Sequence, residues 1–207
     1  TFEGVELWKS NGTLAGTVMV KDLPGNGKGL NPSELTVVSG TLLFSGDDGI
    51  YGRELWKSDG TDAGTVLVKN INPGGTTGPS GPGSLVNMNG ILYFNANDGT
   101  YGRELWKSDG TTAGTVLVQD ISPLASSNPF NLTNVNGVLF FTADNGTNGN
   151  ELWKLDPLAT GISSLSSNIN FNIFPNPSNG KFTFDLTSNK GQELNFEIFN
   201  VIGEKVL

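Results

Sequence analysis

The chain has 207 residues, with 20 Asp and Glu against 12 Lys and Arg, no histidine and no cysteine, for a net charge of −8. Its scattered cations form no stripe able to neutralise a row of phosphates, which excludes nucleic acid and anionic membrane surfaces as partners. Without imidazole or thiolate, the usual general base and every Cys/His zinc or haem site are gone, and only carboxylate and hydroxyl chemistry is left.

Residues 1–9 lack the basic start and apolar stretch of a signal peptide. Nowhere does an apolar run reach the roughly 18 residues a membrane-spanning helix needs, so no transmembrane segment is expected. The first motif met is Glu6-Leu7-Trp8-Lys9, which returns as Glu54-Leu55-Trp56-Lys57, Glu104-Leu105-Trp106-Lys107 and Glu151-Leu152-Trp153-Lys154. The copies start at residues 6, 54, 104 and 151, spacings of 48, 50 and 47 residues. That period suits propeller blades. Thr1 falls inside a copy, and further blades are expected upstream.

Within one period, residues 35–38 and 41–44 are β-rich runs joined at Ser39-Gly40. The next copies turn at Asn89-Gly90 and Asn136-Gly137, and Asn-Gly supplies the two positive φ angles of a type I′ hairpin. An acidic loop follows at 47–52, then a third strand at 53–57, a turn at Ser58-Asp59-Gly60-Thr61, and a fourth strand at 65–69. A Gly/Pro-rich connection over 72–84 leads to the next copy. Strands 41–44, 91–94, 138–141 and 66–68 are apolar at consecutive positions, so both of their faces must be covered. A propeller meets this need, because each four-stranded blade lies between two others. A linear β-solenoid, with shorter rungs and no repeated hairpins, fits less well. The fold class is therefore all-β, with a partial propeller of four-stranded blades over residues 1–157.

The string Glu54, Leu55, Trp56, Asp59, Gly60, Thr61, repeated as Glu104, Leu105, Trp106, Asp109, Gly110, Thr111, resembles the ELWxxDGT repeat family of secreted bacterial proteins. Asn11 replaces the first aspartate, and Leu155-Asp156-Pro157 breaks the last copy. The resemblance implies propeller-like architecture, and since the family has no established catalytic activity it speaks to architecture more than to chemistry.

Residues 158–170 form a Ser/Asn/Gly-rich linker, and a different module starts at Phe171. Residues 181–186 alternate, with Phe182, Phe184 and Leu186 on one face, and further strands are expected at 193–200 and 201–207. The blocks Ile173-Phe174-Pro175-Asn176-Pro177, Gly180-Lys181-Phe182 and Ile198-Phe199-Asn200-Val201-Ile202-Gly203 resemble the type A C-terminal sorting domain of the type IX secretion system. The resemblance implies an Ig-like β-sandwich over 171–207 that is recognised by outer-membrane export machinery. Removal of that domain, with release or lipopolysaccharide anchoring of the cargo, would follow. Family members continue with a Gly-x-Tyr block, whereas this chain stops at Leu207, so the sandwich is expected to be truncated.

The loops carrying Asp47, Asp48, Asp98 and Asp144 offer hard oxygens suited to calcium, but Asp and Asn beside Gly are also what a turn requires, and the EF-hand pattern is absent. The turn outweighs calcium, and no other cofactor is expected. The four tryptophans could stack on sugars, yet a residue present in every repeat more often packs between blades. Arg53-Glu54 and Arg103-Glu104 are expected to make repeated surface or inter-blade pairs. An enzyme would need one departure from the repeat, and none stands out. The expectation is a secreted or surface-anchored, non-catalytic protein whose propeller binds a protein or glycan. Two other possibilities are an accessory carbohydrate-binding region of a larger secreted hydrolase and a purely architectural spacer.

Overall fold

The computed structural model describes residues 4–23, 29–73 and 80–155, together with the backbone of 170–174 and 183–187. The chain divides into two units, Thr1–Pro157 and Leu158–Leu207. Among the described residues all regular structure is β-strand, arranged as antiparallel sheets.

In the first unit, β1 (Leu7–Lys9) pairs with β2 (Val18–Lys21). The next sheet runs in simple order through β3 (Ser33–Val38), β4 (Thr41–Asp47), β5 (Arg53–Ser58) and β6 (Val66–Lys69). Its successor repeats the plan with β7 (Gly83–Met88), β8 (Ile91–Asn97), β9 (Arg103–Ser108) and β10 (Val116–Gln119). A three-stranded sheet follows from β11 (Phe130–Val135), β12 (Val138–Asp144) and β13 (Asn150–Leu155). The Asn-Gly hairpins form as expected, with φ of 52° and 85° at Asn89 and Gly90 and 53° and 86° at Asn136 and Gly137. Ser39-Gly40 takes the same pair of angles, 49° and 82°.

The register places Phe44 opposite Trp56, Phe94 opposite Trp106 and Phe141 opposite Trp153. In each of the three larger sheets the first strand also carries a bulge centred on a residue in the left-handed region: Glu34, Ser84 and Asn131, with φ of 57°, 55° and 55°. Three different residue types hold this position, so the repeat carries no composition signal for it. The first strands pack side by side, β3 with β7 and β7 with β11. Asn87 Nδ2 donates to the carbonyl of Val37 at 2.7 Å, and Asn134 Nδ2 to that of Asn87 at 3.3 Å.

The core lies between sheets. One cluster joins Leu7 and Val20 of the first sheet to Phe44 and Trp56 of the second. A second joins Val38, Leu43, Leu55 and Val68 to Leu92, Phe94 and Trp106. A third joins Met88, Tyr93 and Leu105 to Leu139 and Phe141. Full burial of a Leu or Phe side chain stabilises by about 1.5–3 kcal/mol, so the stacking of sheets is the main source of stability.

In the second unit, β14 (Asn170–Phe174) pairs antiparallel with β15 (Thr183–Thr187), with Ile173 opposite Phe184. β14 begins at Asn170, one residue before the expected start of the module. The strands expected at 193–207, the linker over 158–169, and Pro175, Asn176, Pro177, Gly180, Asn200 and Gly203 lie outside the described residues.

Candidate functional site

The glutamate that opens each Glu-Leu-Trp-Lys copy is a buried carboxylate in the first three copies. Glu54 and Glu104 are fully shielded from solvent and Glu6 nearly so. A bare carboxylate would be costly there; each instead accepts hydrogen bonds from the connection to the following sheet. Glu6 Oε2 accepts from the Leu30 N–H at 3.0 Å. Glu54 Oε2 accepts from the Ile71 N–H at 2.9 Å and the Ser80 hydroxyl at 2.6 Å. Glu104 accepts from the N–H groups of Ile121 and Ser127, at 3.0 and 2.7 Å, and from the Ser127 hydroxyl. Leu30, Ser80 and Ser127 are equivalent pivots, because the carbonyl of each accepts from the end of its own sheet's second strand, at Asp47, Asn97 and Asp144. One sheet's glutamate thus fastens the lead-in of the next. Glu151 of the fourth copy is exposed.

Burial pushes the Glu54 carboxyl above the usual 4.5, while the Ser80 hydroxyl and the backbone of Ile71, Asn72 and Ser80 pull it back. The expected Arg–Glu pairing is not what forms. The Arg53 guanidinium donates to Ser33 Oγ at 2.9 Å, to the Ser45 carbonyl at 3.1 Å and to the Asn31 carbonyl at 3.0 Å. Arg103 repeats this on the Gly81 carbonyl at 2.8 Å and Asn95 Oδ1. Arg53 is thus bonded to the lead-in and strands of its own sheet, while Glu54 reaches the connection that follows.

The next two letters of the motif face opposite ways, as neighbouring residues of a strand do. Leu55 faces the following sheet and Trp56 the preceding one, as their separate core clusters show. Trp56 and Trp106 are 5% and 6% exposed, so they pack between sheets rather than forming sugar platforms. Trp8 is 58% exposed. The lysines also reach forward: Lys9 Nζ donates to the Gly60 carbonyl at 2.7 Å, and Lys57 Nζ to that of Gly110 at 3.0 Å.

Asp59, Gly60 and Thr61 form a self-contained turn. Asp59 Oδ1 accepts from the Thr61 N–H at 2.8 Å and hydroxyl at 2.7 Å, and Thr61 Oγ1 accepts from the Gly64 N–H at 3.0 Å. Asp109, Gly110 and Thr111 do the same with Gly114. A Cβ at Gly64 or Gly114 would run into the aspartate carboxylate. The Thr61 and Thr111 hydroxyls, then their N–H groups, hold Asp59 and Asp109 below the usual aspartate range. Asn11 makes the same bonds to Thr13, so the turn needs an acceptor oxygen rather than a charge.

The acidic loops follow that rule. Asp47 Oδ1 accepts from the Gly49 N–H at 2.8 Å, and Asp48 Oδ1 from Ile50 and Tyr51 at 2.9 and 2.8 Å. Asp98 Oδ1 accepts from Thr100 and Tyr101 at 2.8 Å, and Asp144 Oδ1 from Gly146 at 2.7 Å. Asn97 and Asn145 substitute for aspartate in the same turns. Among the described residues no group of three or more carboxylates is placed to hold a metal ion.

No described helix is long and apolar enough to cross a membrane. No curated protein and no solved structure matches the chain. Residues 172–207 do match a known family, described as the secretion system C-terminal sorting domain. With that type IX sorting segment, the chain is that of a secreted, cell-surface protein.

Proposed function

We propose that the chain is a non-catalytic interaction module of an exported surface protein, its successive sheets being blades of a propeller that binds a protein or glycan. The observation that carries this is the Glu-Leu-Trp-Lys clasp, whose glutamate in three successive copies accepts from the equivalent residue leading into the next sheet, Leu30, Ser80 or Ser127. Repetition of one structural unit builds a continuous core, whereas an active site needs a singular departure from the repeat. The motif glutamates of the first three copies serve as clasps, and Asp47, Asp48, Asp59, Asp98, Asp109 and Asp144 serve as turn acceptors. Tyr51 and Tyr101 stand half exposed at the same place in neighbouring repeats and supply flat, amphipathic contacts suited to a sugar or peptide ligand.

The test has two parts. A reporter carrying residues 158–207 is expected at the surface of a type IX-competent bacterium and to stay inside when 172–207 are removed; equal distribution of the two would end the export reading. On a glycan array, Tyr51→Ala and Tyr101→Ala are expected to abolish the binding seen with the unaltered chain. Hydrolysis of the bound glycan by the full-length parent would favour the alternative in which these repeats are the accessory binding region of a larger hydrolase.

A further inference from the structure

Five Asn-Gly steps lie among the described residues: Asn11-Gly12, Asn89-Gly90, Asn136-Gly137, Asn145-Gly146 and Asn148-Gly149. Such a step is chemically reactive, because glycine has no Cβ to keep its amide nitrogen from the asparagine side-chain carbonyl carbon. Two things must happen before they meet. The glycine N–H has to be released so that it can give up its proton, and the asparagine side chain has to turn back onto the main chain.

In four of the steps hydrogen bonds oppose this. The N–H of Gly12 donates to Ser10 Oγ at 3.0 Å, that of Gly90 to Asn87 Oδ1 at 3.1 Å, that of Gly137 to Asn134 Oδ1 at 2.9 Å and that of Gly146 to Asp144 Oδ1 at 2.7 Å. Two of the asparagines are tied as well. Asn11 Oδ1 accepts from the Thr13 N–H and hydroxyl at 3.0 and 2.8 Å, and Asn145 Oδ1 from the N–H groups of Thr147 and Asn148, both at 3.0 Å.

The fifth step differs on both counts. Among the described residues neither the Gly149 N–H nor the Asn148 side chain has a hydrogen-bond partner, and both residues are exposed. The turn holds Asn148 only through its own N–H, and the chain leaves through Gly149, at φ of 77°, into β13.

We infer that Asn148 is a site of spontaneous modification, converting to aspartate and isoaspartate ahead of the other four. The Gly149 nitrogen bonds to Asn148 Cγ, the Cγ–Nδ2 bond breaks, and ammonia leaves with the proton. Water then opens the cyclic imide at either carbonyl. Both openings leave a carboxylate, and opening at the main-chain carbonyl also inserts a methylene into the backbone. The new charge stands at the place that Tyr51 and Tyr101 hold in the two preceding repeats. The inference rests on the hydrogen bonds of this loop, and on neither the blade reading nor export.

Peptide mapping by mass spectrometry of the full chain, aged in mildly alkaline buffer and sampled over time, tests this. Each conversion adds about 1 Da and a negative charge, and enzymatic methylation specific for isoaspartate identifies that product. Because bonds that hold the other four must open before attack, Asn148 is expected to react at least about ten-fold faster than Asn11, Asn89, Asn136 and Asn145. In urea, where those bonds are gone, the five rates are expected to converge. Asn148→Gln is expected to match the unaltered chain by circular dichroism and to lose the fast conversion; if that variant fails to fold, the rates in the unaltered chain carry the test by themselves. Equal rates in the folded chain, or a faster reaction at any of the other four, would overturn the inference. So would an ordering that persists in urea, since the cause would then be local sequence rather than structure.

Discussion

Glu54 shows how much one residue of the repeat carries. Its carboxylate lies in the interior because donors 17 and 26 residues away converge on it, so Glu54→Ala leaves buried N–H and hydroxyl groups unpaired, at a cost of roughly 3 kcal/mol. Its pH behaviour has a definite sign. A carboxyl raised in the folded state favours the protonated form there, so its contribution is complete below the usual 4.5 and is lost as pH rises through the raised value. Urea unfolding at a series of pH values is therefore expected to show the unaltered chain losing stability relative to Glu54→Gln as pH climbs from 4 toward neutrality; an unchanged or growing advantage would contradict the assignment. Asp59 and Asp109 act in the opposite sense: their lowered values contribute stability above 3.8 that disappears as pH falls through them. The acidic loops test the role of charge. Since Asn145 performs the task of Asp48, Asp48→Asn is expected to change stability by less than about 0.5 kcal/mol. Added calcium is expected to leave the melting temperature unmoved, and a clear rise would reinstate a cation site.

Elements were the most legible part of the sequence. The Asn-Gly pairs marked hairpins through their need for positive φ, and continuous apolar runs such as 91–94 marked strands covered on both faces. The bulges at Glu34, Ser84 and Asn131 were not legible, because they depend on backbone registry and accept three unrelated residue types. Nor was the burial of the motif glutamate: local periodicity assigns a strand, while the donors belong to a connection far along the chain. At this scale identical chemistry has unequal consequences. Trp56→Ala removes a side chain packed between two sheets and is expected to cost about 3–5 kcal/mol. In dilute solution Trp8→Ala removes an exposed one and is expected to cost less than about 0.5 kcal/mol. Comparable losses at the two positions would mean that the sheets do not stack as described.

For the molecule as a whole, the repeat and the export segment answer different questions. The match over 172–207 accounts for where the protein goes, and the first unit accounts for how a chain without cysteines, and with neither metal clusters nor helices among its described residues, holds together. The first three sheets each pass a carboxylate and a leucine forward and receive a tryptophan from the next, and the first two also pass a lysine, so stability grows with the number of neighbours. The linkage between sheets is therefore the central physical claim, and the Glu54–Ser80 contact at 2.6 Å is its most direct representative. A double-mutant cycle on Glu54→Gln and Ser80→Ala, read by urea unfolding, is predicted to give a coupling of about 1–3 kcal/mol; additivity within about 0.5 kcal/mol would contradict the account.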